Sequence, residues 1–395
     1  MSGGALFRAS AAGALALHAA ILLWTDGLQG GGDMKPHLRL VQLMAEEPGL
    51  RSVYAPLYHV LGALGSPLTG LGAYPEWFAW LSAAGLIASF RYFQRSADLP
   101  DASAALFAWA PYGFALTWCL PKVEAAGYAL ALLGLGLLCR RRHLLLAATL
   151  AASFWVHTGA ALFLGLCGGV LALARRDARA LAALAVGSAG AVPLLASHLA
   201  AGCSLAQALL FSQGDYLRAA PRLENLVHWD RILVLANPIA LVAAGLGARE
   251  LWERHHPIAI LCGVVWVLYL NELWLAPFGA RTTLDLLRGL TVLAIPVAVA
   301  AGVGLDLRPG AAAAAVAASA ALAVLSTLLV VPASCVSKPI DLAEVARYDV
   351  DRCTFRWRLG RRASRGGPDL AEVRANRSVE RTEDLQGASQ QPRQE

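Results

Sequence analysis

Apolar segments of membrane-spanning length recur from residue 5 to residue 332, each bounded by Arg, Pro, Asp or Gly. In lipid, such a chain can satisfy its backbone only in helices or a closed barrel. The runs are continuous, without the period-two alternation that a barrel requires. Only 15% of the 395 residues are charged and 57% are hydrophobic, whereas soluble domains carry about a quarter charged residues. The expected fold is therefore all-α, a polytopic integral membrane bundle. The runs fall at 5–24, 75–93, 102–119, 123–139, 143–156, 159–174, 180–199, 232–248, 257–274, 284–304 and 310–332, about eleven spans.

Charge sets the orientation. The net charge of +6 comes from arginines gathered in short loops, a topogenic pattern that gives no sign of nucleic-acid binding. Segment 53–70 is apolar enough to be a twelfth span. Read as part of an outer loop, it leaves Arg91, Arg95, Arg140 to Arg142, Arg175, Arg176, Arg179, Arg249 and Arg254 inside. Read as a crossing, it moves all of them outside, against the positive-inside rule. Pro56, Gly62, Gly65 and Pro67 also suit a helix lying in the interface. Residues 1–332 then form the transmembrane domain with a first outer loop at 25–74. Residues 333–395 form an extracytoplasmic tail, expected to be disordered from Gly366 onward. Trp24-Thr25-Asp26-Gly27 offers no small-x-small cleavage site, so the first helix is read as uncleaved.

The first outer loop holds the densest chemistry. Gly30-Gly31-Gly32 precedes Asp33, Met34, Lys35, Pro36 and His37, and Tyr54-Ala55-Pro56-Leu57-Tyr58-His59 follows. Asp33 is placed to cap the helix after it, which would also hold its carboxylate rigidly. His37 shares a helical face with Leu40, Val41 and Met44, leaving Arg39, Gln42 and Glu46 toward water, the pattern of an interfacial amphipathic helix over 36–46. Such a histidine either packs or works. His157 sits in Phe154-Trp155-Val156-His157-Thr158-Gly159, where two short runs meet; it either faces a cleft or rests at headgroup level without a partner. Ionisable groups at the membrane edge are read first as functional.

These elements resemble the first outer loop of the C-type membrane glycosyltransferases: an acidic residue after the first helix, a His-bearing amphipathic helix, then Tyr-x-Pro-Leu-Tyr-His at Tyr54 to His59. The resemblance covers this loop closely and the frame to about residue 330 loosely. It implies an inverting enzyme in the plasma membrane, working on its extracytoplasmic face. A hexosyl or pentosyl group would pass from a polyprenyl-phosphate donor, held among membrane lipid, to a glycan, lipid or protein acceptor. Asp33 takes the place of the catalytic carboxylate, with Asp26 the weaker alternative, and His37 stands beside it. Tyr58, His59 and His157 would line the cleft. Phosphate needs cations, and arginine suits it geometrically; Arg288, Arg281 and Lys122 are the outer-side candidates, with Asp285 and Glu272 as structural partners. Some relatives use a divalent metal. Asp33 and His37 are two ligands without a third, and the adjacent acidic pair of many relatives is missing, so no cofactor is assigned. No Walker sequence or nucleotide-binding loop is present, so the donor should be lipid-linked. Two rival readings remain: a transporter or flippase of lipid-linked intermediates, and a non-catalytic scaffold of the same fold. The concentration of polar residues at one face favours surface chemistry over transport.

Five of the seven cysteines, Cys119, Cys139, Cys167, Cys203 and Cys262, are scattered and read as small apolar residues, and only Cys335 and Cys353 share one segment, beyond the last run. An outer tail would place both in an oxidising compartment. They are expected to pair, closing a loop that stabilises the tail by ~3 kcal/mol. A membrane-impermeant maleimide on intact cells should label this pair only after reduction; labelling that needs permeabilisation and no reductant would put the tail inside.

Overall fold

The computed structural model describes residues 3–24, 34–47, 50–52, 55–71, 73–110, 123–200, 237–270, 286–306, 308–333, 342–347 and 354–356. Its helices are α1 (Gly3–Trp24), α2 (Met34–Glu46), α3 (Leu57–Thr69), α4 (Tyr74–Ser96), α5 (Asp101–Ala108), α6 (Val123–Cys139), α7 (His143–Val156) and α8 (Thr158–Ala174). They continue as α9 (Ala178–Ser188), α10 (Val192–Ala200), α11 (Pro238–Arg254), α12 (His256–Tyr269), α13 (Leu286–Asp306), α14 (Pro309–Ala333) and α15 (Leu342–Arg347). A 3₁₀ turn, Ala189–Ala191, joins α9 to α10. Among the described residues, Gly3–Leu23 and Ala178–Ser197 are continuous helices long and apolar enough to cross a bilayer, whereas six further apolar helices are shorter. The run expected at 102–119 is helical only to Ala108, and 111–122 lies outside the described residues.

Small residues bring the helices together, as lipid-embedded packing requires. At the α11–α13 crossing a Cβ on Gly304 would stand 2.6 Å from the Ala243 carbonyl oxygen and 2.9 Å from the Gly247 nitrogen. On the side of the bundle where α4 ends, Arg91 is buried. It bonds Asp101 and, at 2.6 Å, Gln94 Oε1, and lies 4.7 Å from the Phe7 ring centroid. One arginine thereby ties α1, α4 and α5 together, its charge offset by the Asp101 carboxylate.

Tight turns join α4 to α5, α6 to α7 and α8 to α9. Each contains one residue in the left-handed region: Asp98 (φ 53°), Arg141 (φ 54°) and Arg176 (φ 54°). Leu99, Arg142 and Asp177 donate their N–H groups back to Gln94, Leu137 and Ala172. These bonds satisfy carbonyls that the ending helix leaves open.

Opposite these turns lies a separate layer. Helices α2 and α3 pack on each other, and α3 reaches α4 and α7. Gly62 is required there, because a Cβ would meet Tyr74 and Val41 at 2.7 Å. Segment 57–69 is thus a helix packed beside α2. The chain returns to this layer nearly three hundred residues later. β1 (Leu50–Ser52) pairs antiparallel with β2 (Thr354–Arg356), with Arg51 opposite Phe355, and α15 packs on α2. The described part of the tail therefore shares a face with the first loop, an addition to the all-helical expectation. Cys335 and Cys353 lie outside the described residues.

The α11–α13 crossing gives a direct test. Gly304→Val should destabilise the detergent-solubilised protein by about 1–3 kcal/mol through overpacking, whereas Gly245→Ala, with open space around it, should leave the melting temperature within error.

Candidate functional site

The site begins with the amphipathic period of α2. Leu38, Leu40 and Val41 are fully buried and Met44 nearly so, whereas Glu46 is exposed. That face seats on α3, whose buried residues are Tyr58, His59 and Gly62. Leu38, Val41, Tyr58, Tyr74 and Val345 form one apolar cluster, so α2, α3, α4 and α15 all contribute to its walls.

His37 projects from α2 toward α3. Its Nδ1 lies 2.9 Å from Nε2 of His59, and the two rings stack at 5.1 Å and 20°. One ring's N–H donates to the bare nitrogen of the other, so the pair needs at least one neutral imidazole. Tyr58 meets both edge-on, at 5.9 Å from His37 and 5.5 Å from His59, and also packs on Phe78 at 4.7 Å. Tyr74 donates its hydroxyl to the Tyr58 carbonyl at 2.7 Å. Burial, reinforced by His37, holds His59 well below the ordinary histidine pKa, against a smaller opposing pull from the Ala55 backbone. Burial and then Tyr74 push the Tyr58 phenol well above its ordinary value. At neutral pH His59 and Tyr58 are uncharged.

A second aromatic group occupies the same end of the bundle. His157 caps α8: its Nδ1 accepts the Ala160 N–H at 3.1 Å. That bond fixes the proton of the neutral ring on Nε2. The ring lies 6.3 Å from Tyr128, whose hydroxyl is 3.3 Å from that of Tyr269; Phe163 packs against both tyrosines. The sequence posed cleft against idle headgroup position for His157, and the structure adds a capping role.

Of the residues expected from sequence, His37, Tyr58 and His59 are brought together and His157 stands in the neighbouring group. Asp33 immediately precedes the first residue of α2 in the chain but lies outside the described residues, as do Asp26, Tyr54, Lys122 and Arg281. Arg288 falls in the first turn of α13, with its side chain outside the description. Among the described residues no three His, Cys, Asp or Glu side chains gather as a metal site. A cation shared by Asp33 and His37 would have to use His37 Nε2, because Nδ1 is engaged with His59. Sequence reasoning passed over Tyr74, Phe78, Tyr128, Tyr269 and Val345. The tyrosines near helix ends carried a usable signal, since aromatic residues concentrate at membrane interfaces.

No protein-family model matches the chain, and no curated protein matches it. Solved structures do. The crystal structure of ArnT from Cupriavidus metallidurans, bound to undecaprenyl phosphate, superposes with a TM-score of 0.57 at 16% identity, over 84% of this chain and 66% of ArnT. The cryo-EM structure of the arabinofuranosyltransferase AftD from Mycobacteria superposes with a TM-score of 0.52 at 15% identity, over 86% of this chain and 27% of AftD. The chain has the fold of the C-type membrane glycosyltransferases. It spans just under two thirds of ArnT and about a quarter of AftD. In this C-type fold the His37–His59 pair belongs to the layer formed by α2 and α3, which packs on α4.

That pair should make the layer acid-sensitive. Released from the fold, His59 protonates near its ordinary pKa of 6.5, whereas in place it protonates only well below that. Its contribution to stability is full above about 6.5 and falls as pH drops, by up to about 1.4 kcal/mol per unit. Hydrogen exchange in α2 and α3 should slow less between pH 7.5 and 5.5 than the intrinsic exchange rate does, by about tenfold at pH 5.5, and His59→Gln should remove that difference. Exchange that tracks the intrinsic rate in wild type would contradict the assignment.

Proposed function

We propose that this protein transfers a sugar from a polyprenyl-phosphate donor to an extracytoplasmic glycan, lipid or protein acceptor. The fold supports the reading, because ArnT, which shares it, is seen with undecaprenyl phosphate bound. The observation that carries it is the closed His37–Tyr58–His59 cluster at the end of α2 and α3. It gathers the described members of the motif that suggested the enzyme class, on the face opposite the arginine-bearing turns.

In the proposed reaction the Asp33 carboxylate accepts the acceptor hydroxyl proton as that oxygen attacks the anomeric carbon. Attack comes from the side opposite the phosphate, the carbon–oxygen bond to phosphate breaks, and polyprenyl phosphate leaves with the bonding pair. Arg288, with Arg281 and Lys122, holds the phosphate and takes up the charge that develops on it. His37 positions the carboxylate region. Its ring is itself held by His59, buried and neutral, so it is kept in one orientation as substrate arrives. Tyr58, His59 and His157 shape the cleft wall, and a basic residue on the outer side recognises a lipid that arrives through the bilayer.

Asp33→Asn should lower transfer by roughly 10²–10⁴-fold, the usual contribution of general base catalysis, with expression and melting temperature unchanged. Activity within a few-fold of wild type would remove Asp33 from the mechanism and point to Asp26.

A further inference from the structure

At the end of α6–α9 opposite His157, two of the three tight turns lie side by side. Arg175 donates from Nη1 to the Cys139 carbonyl at 3.4 Å, and His143 Nε2 comes within 3.9 Å of Asp177 Oδ2. The turns have the same build: each closes a helix with Arg-Arg, and the second arginine, Arg141 or Arg176, has φ of 54°. Glycine is the ordinary occupant of that position, because a Cβ is disfavoured there. Topogenic charge alone needs no arginine at a strained turn position and no docking of one turn against the other.

The local acceptors do not account for these arginines. Arg140 bonds Ser96 Oγ at 3.3 Å and Arg175 takes the Cys139 carbonyl, which compensates the negative ends of α6 and α8. The nearby carboxylates are Asp177, occupied in capping α9 at 3.0 Å from the Ala180 nitrogen, and Asp98 in the α4–α5 turn. Arg141, Arg142, Arg176 and Arg179 are exposed and make no ion pair or hydrogen bond with a side chain among the described residues. Four exposed arginines thus belong to two turns that dock on each other where apolar helices end, with no side-chain partner among the described residues.

We propose that this double turn binds the phosphate of an anionic phospholipid headgroup from the leaflet on that face. Charge complementarity and position select the ligand. Guanidinium groups match phosphate oxygens bidentately, and exposed arginines clustered where membrane helices end are suited to an anionic headgroup. The site is separate from the proposed transferase centre at the other end of the bundle and does not depend on it.

The test uses the full chain in nanodiscs of phosphatidylcholine with a minority of phosphatidylglycerol. Lipids retained on extraction are counted by native mass spectrometry. Wild type should retain phosphatidylglycerol above its bulk share. A basic group near an anionic surface contributes about fivefold in affinity, so Arg141→Gly/Arg176→Gly should weaken phosphatidylglycerol binding at least tenfold and bring its share of retained lipid close to bulk. Because glycine suits the two turn positions, the same variant should be at least as stable as wild type in lipid-free detergent. A purely structural or topogenic role predicts the reverse pattern: unchanged lipid retention, or a loss of stability. Retention of phosphatidylglycerol by wild type at no more than its bulk share would overturn the proposal. Protection of the detergent-solubilised protein by inorganic phosphate, without phosphatidylglycerol enrichment, would assign the patch to a free anion and would also overturn it.

Discussion

Tyr58 is the residue about which the outer layer is assembled. Its ring is buried against His37 of α2, His59 of α3 and Phe78 of α4, and its carbonyl receives the Tyr74 hydroxyl. Full burial of one large aromatic side chain contributes roughly 1.5–3 kcal/mol, and each well-placed ring pair adds about 0.5–1.5 kcal/mol. These contacts join α2 and α3 to the start of α4. The position of His37 follows from them, because α2 has few other attachments: α3, β1 and the short α15.

The bilayer explains why the chemistry collects at the ends. Within hydrocarbon, every backbone group must be satisfied inside a helix, so irregular backbone and charged side chains are pushed to the two faces. One face received exposed arginines in tight turns, the other the histidines and tyrosines. The same short helices α6, α7 and α8 connect both, with His157 at one end and Arg140 to Arg142 and Arg175 at the other. His18 departs from this partition, being fully buried within α1.

Much of this layer was legible in local pattern. The stripe of Leu40, Val41 and Met44 predicts the buried face of α2, and that face is buried. Prolines, glycines and the positive-inside rule argue for an interfacial helix over 53–70; the described residues show a helix from Leu57 to Thr69 that packs on α2. What had no local signature was long-range. Val345 sits in a short mixed-charge stretch, Leu342 to Arg347, too brief to show a period, yet it is fully buried in the cluster around Tyr58. The pairing of Leu50–Ser52 with Thr354–Arg356 likewise joins three-residue strands too short to show alternation. The His37–His59 contact spans 22 positions; sequence marked both residues but could not place them face to face, since their approach depends on how two helices cross.

The central claim is that this fold performs sugar transfer at the first-loop face. The most direct measurement is an assay in proteoliposomes with a panel of polyprenyl-phosphate sugars and a mixed pool of glycan, lipid and protein acceptors. The account predicts that at least one donor is consumed, with free polyprenyl phosphate and a glycosylated acceptor formed in equal amounts. Donors that remain intact while crossing from one leaflet to the other would contradict it and make the protein a transporter of lipid-linked sugars.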